Sequence, residues 1–97
     1  MRREKVIELL NSHRPELEAL GIDHLCIFGS VARDQAKSKS DVDLVAEFNP
    51  TARIGFAIVS IHKRLEEILD CKVDLVRAPI YRPELKQAVE REGVYAF

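Results

Sequence analysis

A glycine–serine pair and two closely spaced aspartates lie on either side of a polar segment, and this order restricts the folds open to the chain. The apolar residues 24–28 predict a strand, and Gly29-Ser30 followed by helix formers predicts a tight turn into a short helix. After a polar loop at 37–40, apolar and polar residues alternate over 41–48, which predicts a strand with one buried face. Strands and helices in this order indicate an α/β domain.

Helical periodicity covers the beginning and the middle of the chain. Residues 2–10 present one apolar face, residues 11–15 interrupt it, and the pattern resumes at 16–20, which predicts a helix with a break that Gly21 ends. Isoleucine and leucine recur every three or four residues over 54–68, which predicts a long amphipathic helix that ends near Asp70. The apolar side chains of this stripe are predicted to lie in the core.

The last third of the chain predicts a strand, a helix and an apolar tail. Residues 71–78 repeat the strand alternation, and Pro83 and Gly93 mark the beginning and the end of a further helix. The tail, residues 94–97, is apolar enough to add either a strand or a contact surface. Together the elements predict a small mixed β-sheet flanked by helices, in a single domain that spans residues 1–97.

The composition is typical of a soluble globular domain, with 46% hydrophobic and 32% charged residues among 97. This length leaves no room for a second lobe, so a large substrate must bring its own binding surface. The formal charge of −1 argues against direct nucleic-acid binding. Lys37 and Lys39, in the polar loop, are interpreted as ordinary loop residues. No apolar run is long enough to cross a membrane, and a cytoplasmic location is expected.

The spacing of cysteine and histidine argues against a disulfide framework and against a zinc site. Cys26 and Cys71 lie far apart without a C-x-x-C motif, and we expect both to be reduced, partly buried thiols. The three histidines are scattered along the chain without the spacing of zinc ligands.

The two aspartates at the start of the second strand are candidates for a metal site. Residues i and i+2 of a strand project to one side, so Asp41 and Asp43 direct two carboxylates at one small volume. Asp74 has the same outward position on a later strand and is a third candidate if the two strands are neighbours. Carboxylates and substrate phosphates are ligands that suit Mg²⁺, and a two-ion site of this kind serves phosphoryl or nucleotidyl transfer.

The glycine–serine turn supplies a candidate phosphate site beside these carboxylates. Gly29 allows close approach of the backbone, Ser30 offers a hydroxyl, and the N–H groups of the following helix favour an anion. Arg33 is one turn into that helix, where its guanidinium binds a phosphate, is only solvated, or pairs with Asp34 or Glu47.

Taken together, these motifs resemble the signature of the polymerase-beta-type nucleotidyltransferase superfamily. Its elements here are Gly29-Ser30, the Asp-Val-Asp sequence at 41–43 and the later Asp74 between apolar neighbours. The segment GSVAR and the chain length resemble, more narrowly, the minimal nucleotidyltransferases of prokaryotes, which are typically antitoxin partners of HEPN-domain ribonuclease toxins. The resemblance covers nearly the whole chain, although Asp34 stands where family members often carry glycine.

The resemblance implies a nucleotidyltransferase fold that binds ATP and two Mg²⁺ ions. In this reading Asp41, Asp43 and Asp74 hold the metal and carry catalysis, and the triphosphate lies near Gly29 and Ser30. The reaction implied is transfer of AMP from ATP to a hydroxyl, typically a tyrosine, of a cognate HEPN-domain toxin, with the chain acting as antitoxin. Association with itself or with the toxin stays open.

Two other functions remain open from the sequence. The first is a binding antitoxin that neutralises its toxin by covering it, without catalysis. The second is a small-molecule transferase of the kind that modifies antibiotics, although such enzymes usually carry an acceptor-binding domain for which this chain has no room.

Overall fold

The computed structural model describes residues 2–35 and 41–97. The predicted polar loop at 37–40, with Lys37 and Lys39, lies outside the described residues. The helices are α1 (Arg3–Ser12), α2 (Arg14–Ala19), α3 (Gly29–Ala32), α4 (Ala57–Leu69) and α5 (Pro83–Glu92), and the strands are β1 (Ile22–Phe28), β2 (Val42–Phe48), β3 (Val73–Arg77) and β4 (Val94–Tyr95).

The four strands form one mixed sheet in the order β3-β2-β1-β4. β1 runs antiparallel to both β2 and β4, whereas β2 and β3 are parallel. Parallel neighbours need a long crossover, and α4 supplies it. The predicted small mixed sheet flanked by helices is therefore confirmed, and the apolar tail adds the strand β4.

The main core lies between the sheet and the helices α1, α2 and α4, and α3 adds two buried residues, Val31 and Ala32. The predicted stripe of α4 is buried there through Ile61, Leu65 and Ile68. Ile54 is buried as well, but it precedes the helix, which begins at Ala57 and not at the start of the apolar stripe. The apolar periodicity predicted a start of α4 at Ile54 because the side chain of this loop residue continues the apolar surface of the helix.

The opposite face of the sheet is covered by α5. A second, smaller core forms there from Cys26, Phe28 and Val45, with Leu85 and Val89 of α5 packed against them. The prediction that β2 has one buried face is therefore wrong at Val45, which is only 4% exposed. The alternation marked Val45 as an outward residue, but α5 covers the central part of that outward face.

Within the ranges 2–35 and 41–97, no helix combines the length and the apolar character that a membrane span requires.

Asp70 ends α4 in the left-handed conformation, with φ of 53° and ψ of 42°. Replacing Asp70 by glycine should raise the free energy of unfolding by about 1 kcal/mol, because glycine adopts this conformation without a Cβ clash. The change also removes a negative charge from the carboxyl end of the helix. Urea denaturation would measure the difference, and Asp70→Asn separates the loss of charge from the relief of strain. A lower denaturation midpoint for Asp70→Gly would contradict the prediction.

Candidate active site

The parallel pairing of β2 with β3 brings two of the predicted site residues side by side. Asp43 and Asp74 are direct partners in the register of the two strands, so their side chains project from the same face of the sheet. Asp43 is half-buried in the second strand of the sheet order, and Asp74 is exposed on the edge strand β3. The condition on which Asp74 was a candidate, adjacency of the two strands, is met.

Asp41 lies just before β2 and is exposed. Its charge reaches Asp43: burial raises the pKa of the Asp43 carboxyl, and the charges of Asp74 and Asp41 raise it further. The Arg33 guanidinium acts in the opposite direction and lowers the same pKa. The carboxylates of Asp41 and Asp74 are thus both close enough to repel that of Asp43, which is the least solvated of the three.

The described residues contain no preformed cluster of three or more histidine, cysteine or acidic side chains able to enclose a metal ion. The donor set nevertheless fits Mg²⁺, since this ion prefers a few carboxylates together with water and substrate phosphates over an all-protein cage. A cation would also relieve the repulsion that raises the pKa of Asp43.

Gly29 lies directly against the carboxylate of Asp43. Phe28, the last residue of β1, is the register partner of Asp43, and Gly29 follows it with φ of 73°. A Cβ at position 29 would lie 2.2 Å from Oδ2 of Asp43. Glycine is therefore required here both by the left-handed backbone and by the space that the carboxylate occupies.

Ser30 is half-buried next to this glycine, and its carbonyl oxygen accepts a hydrogen bond of 2.8 Å from the N–H of Gln35. The helix that starts here, α3, has only 4 residues. A single turn carries little of the dipole of a long helix, so the dipole adds little here, and an anion at the amino end of α3 stays a prediction. Gly29 and Ser30 remain candidate phosphate-binding residues, because Gly29 allows close approach of the backbone and Ser30 offers a hydroxyl.

Asp34 follows α3 in the left-handed conformation, with φ of 58°. Glycine would adopt this backbone without strain, whereas an L side chain rarely does. Asp34 compensates through its carboxylate, because Oδ1 accepts a hydrogen bond of 3.3 Å from the N–H of Arg3. Arg3 also donates from Nη1 to the carbonyl oxygen of Ala32 at 3.0 Å, so α1 fixes the end of the turn.

Arg33 makes an ion pair that the sequence did not indicate. Its Nη1 lies 2.7 Å from Oε2 of Glu92 at the end of α5, and its Nε donates to Oε1 of Gln35 at 3.2 Å. The alternative prediction, an ion pair of Arg33 with Asp34 or Glu47, is wrong. No local spacing could have revealed Glu92, because it is 59 residues away and reaches Arg33 only through the packing of α5 on the sheet.

Other groups of the chain are not part of this cluster. Cys26 is buried and Cys71 half-buried, and both are free thiols as predicted. A cavity of about 240 Å³ lies farther along the outward face of β2, and none of the predicted site residues lines it. Its lining includes Glu47, Tyr95 and residues of α5.

Comparison with known proteins agrees with this geometry. A family model described as a nucleotidyltransferase domain matches residues 6–96. The protein adenylyltransferase MntA of Thermococcus cleftensis is 32% identical over 93 residues, which are 95% of this chain and 93% of that protein. A solved structure assigned as a minimal nucleotidyltransferase has a TM-score of 0.77 at 28% identity, with 97% of this chain and 95% of that chain covered.

A chain from a toxin–antitoxin complex solved with AMP-PNP is also similar, with a TM-score of 0.69 and 25% identity over 100% of this chain and 73% of that chain. AMP-PNP is an analogue of ATP. The match over residues 6–96 and the identity to a protein adenylyltransferase over nearly the whole of both chains lead to one conclusion. The chain belongs to the nucleotidyltransferase domain family.

Proposed function

We propose that this chain acts in the cytoplasm as an antitoxin that transfers AMP from ATP to a tyrosine hydroxyl of a cognate HEPN-domain toxin. The observation that carries the proposal is the register pairing of Asp43 with Asp74, beside a glycine whose Cβ would occupy the position of the Asp43 carboxylate. Similarity to a protein adenylyltransferase and to a chain of a toxin–antitoxin complex with AMP-PNP supports the donor and the class of acceptor.

In this proposal Asp41, Asp43 and Asp74 hold two Mg²⁺ ions. The metal would supply charge neutralisation on the phosphates and a lowered pKa for the attacking hydroxyl. Gly29 leaves room for the Asp43 carboxylate and allows its own backbone to approach the triphosphate, and Ser30 donates its hydroxyl to a phosphate oxygen. Arg33 adds a positive charge next to the phosphate that Ser30 contacts.

The reaction is an in-line displacement at the α-phosphorus of ATP. The tyrosine oxygen forms a bond to the α-phosphorus, the bond from that phosphorus to the bridging oxygen of the β-phosphate breaks, and pyrophosphate leaves. The exposed carboxylate of Asp74 accepts the proton of the incoming hydroxyl. Most of the acceleration comes from positioning and electrostatic stabilisation, and no residue of the chain needs to form a covalent intermediate.

The proposal is tested with the chain, its cognate HEPN-domain protein, Mg²⁺ and ATP. We expect the intact mass of the partner to rise by one or more AMP groups, and peptide mapping to assign them to tyrosine. ATP labelled on the adenine and ATP labelled on the γ-phosphate distinguish AMP transfer from phosphorylation. A partner that is neutralised without acquiring any label would contradict the proposed reaction and favour neutralisation by covering.

A further inference from the structure

We infer that Glu92 is a positioning residue for nucleotide binding and that it acts through Arg33. The inference rests on the proposed nucleotidyl transfer and adds to it a residue of α5, which is far from the glycine–serine turn in the sequence. The juxtaposition is direct, since Oε2 of Glu92 lies 2.7 Å from Nη1 of Arg33.

The contacts of the guanidinium fix its orientation. Nε donates to Gln35 and Nη1 donates to Glu92. Among the described residues these contacts leave the Nη2 donors unengaged. Because the guanidinium is planar and offers five N–H groups, a side chain held at two nitrogens directs the third along a defined line. A phosphate near the turn can then accept from Nη2 while the pair with Glu92 stays intact.

The position of Glu92 is itself fixed by packing. Val89, one turn earlier on α5, packs against the core of Cys26, Phe28 and Val45. Gly93, which directly follows Glu92, is so close to β1 that a Cβ there would lie 2.7 Å from Sγ of Cys26. The carboxyl end of α5 is thus held against the sheet, and Glu92 presents its carboxylate from a rigid base.

Without Glu92, Arg33 has a competing partner. Its charge is near enough to act on the Asp43 carboxylate, and a guanidinium bound to Asp43 would occupy a proposed metal ligand. The ion pair with Glu92 instead engages the guanidinium with a carboxylate that is not a proposed metal ligand. The side chains of Arg33 and Glu92 are 42% and 24% exposed, and an ion pair so open to water adds little to stability. Orientation of Arg33 accounts for the pair better than stabilisation of the fold does.

The test is a double-mutant cycle read out by nucleotide affinity. Wild type, Glu92→Gln, Arg33→Gln and the double variant are titrated with Mg²⁺ and AMP-PNP, and KM and kcat for ATP are measured with the partner. We expect Glu92→Gln to weaken AMP-PNP binding and to raise KM about five- to tenfold, with kcat nearly unchanged, as for loss of one charge-assisted contact. In the Arg33→Gln background, the same substitution should have no further effect.

Two controls separate positioning from a general change. Glu90→Gln makes the same change of charge on an exposed part of α5 and should leave affinity and KM unaltered. Glu92→Asp keeps the charge and should restore part of the affinity. An unchanged affinity in Glu92→Gln, or an equal loss in the presence and absence of Arg33, would overturn the inference while leaving the proposed reaction intact. Failure of the wild type to bind the nucleotide would overturn both.

Discussion

Asp43→Asn is expected to reduce AMP transfer about a thousandfold, because a proposed metal ligand worth several kcal/mol of charge stabilisation is lost. The same substitution should make the metal-free protein more stable at pH 7. Burial and the charges of Asp74 and Asp41 raise the pKa of Asp43, so its ionised form is less favourable in the folded than in the unfolded chain. Asparagine removes that penalty, and initial rates and thermal unfolding without divalent ions measure the two effects.

The sign of the second effect depends on pH. With a raised pKa of Asp43 in the folded state, wild-type stability decreases as the pH rises from the ordinary aspartate pKa of 3.8 through the folded pKa, and the gain from asparagine grows over the same interval. Asp23→Asn is a matched control, since it removes an exposed carboxylate from β1 on the same sheet. Unimpaired transfer by Asp43→Asn would refute the assignment. Toxin neutralisation that survives without transfer would instead indicate that covering the toxin suffices.

Gly29→Ala should be the most damaging change of a single small side chain. The new Cβ would lie 2.2 Å from Oδ2 of Asp43, and the residue already has φ of 73°. The carboxylate must move, so we expect transfer to fall at least about a hundredfold, since a displacement of roughly 1 Å at such a site has an effect of this size. Strain should also lower the free energy of unfolding by about 1 to 3 kcal/mol.

Gly55 provides the control for this prediction. Its φ of 48° is also left-handed, but no heavy atom lies within 4 Å of a Cβ built there. Gly55→Ala therefore carries the backbone strain without the collision, and it should lower stability by about 1 kcal/mol while leaving transfer unaltered. Equal losses of activity in the two variants, at equal fractions folded, would show that contact with Asp43 is not what makes Gly29 necessary.

The sequence predicted the fold well where one physical signal dominated. Alternation over β2 located the outward direction of Asp43, and the same pattern in β3 gave Asp74 a matching position, which the parallel register then made adjacent. The roles of these residues stay predictions. Periodicity does not show which element covers each face of a strand. Val45 was expected to point to water, but it is buried because α5 covers that side of the sheet.

The ion pair of Arg33 with Glu92 was missed for a related reason. Electrostatic partners on a helix or a strand can be inferred from fixed spacing, since neighbours three or four residues apart share a face. Arg33 and Glu92 meet only because α5 packs on the face of the sheet that carries Val45 and Asp43. Long-range contacts of this kind follow from tertiary packing, which no local pattern encodes.

The edge position of β3 determines how an acceptor can arrive. Asp74 is exposed on the outermost strand, so a hydroxyl on the surface of a folded protein can approach from open solvent without threading into a cleft. In the proposed reaction the chain then supplies the nucleotide site and Asp74, which accepts the proton of that hydroxyl. The shape of the incoming protein then determines which tyrosine is modified. Grafting the contact surface of that protein onto an unrelated carrier should therefore direct the modification to the carrier.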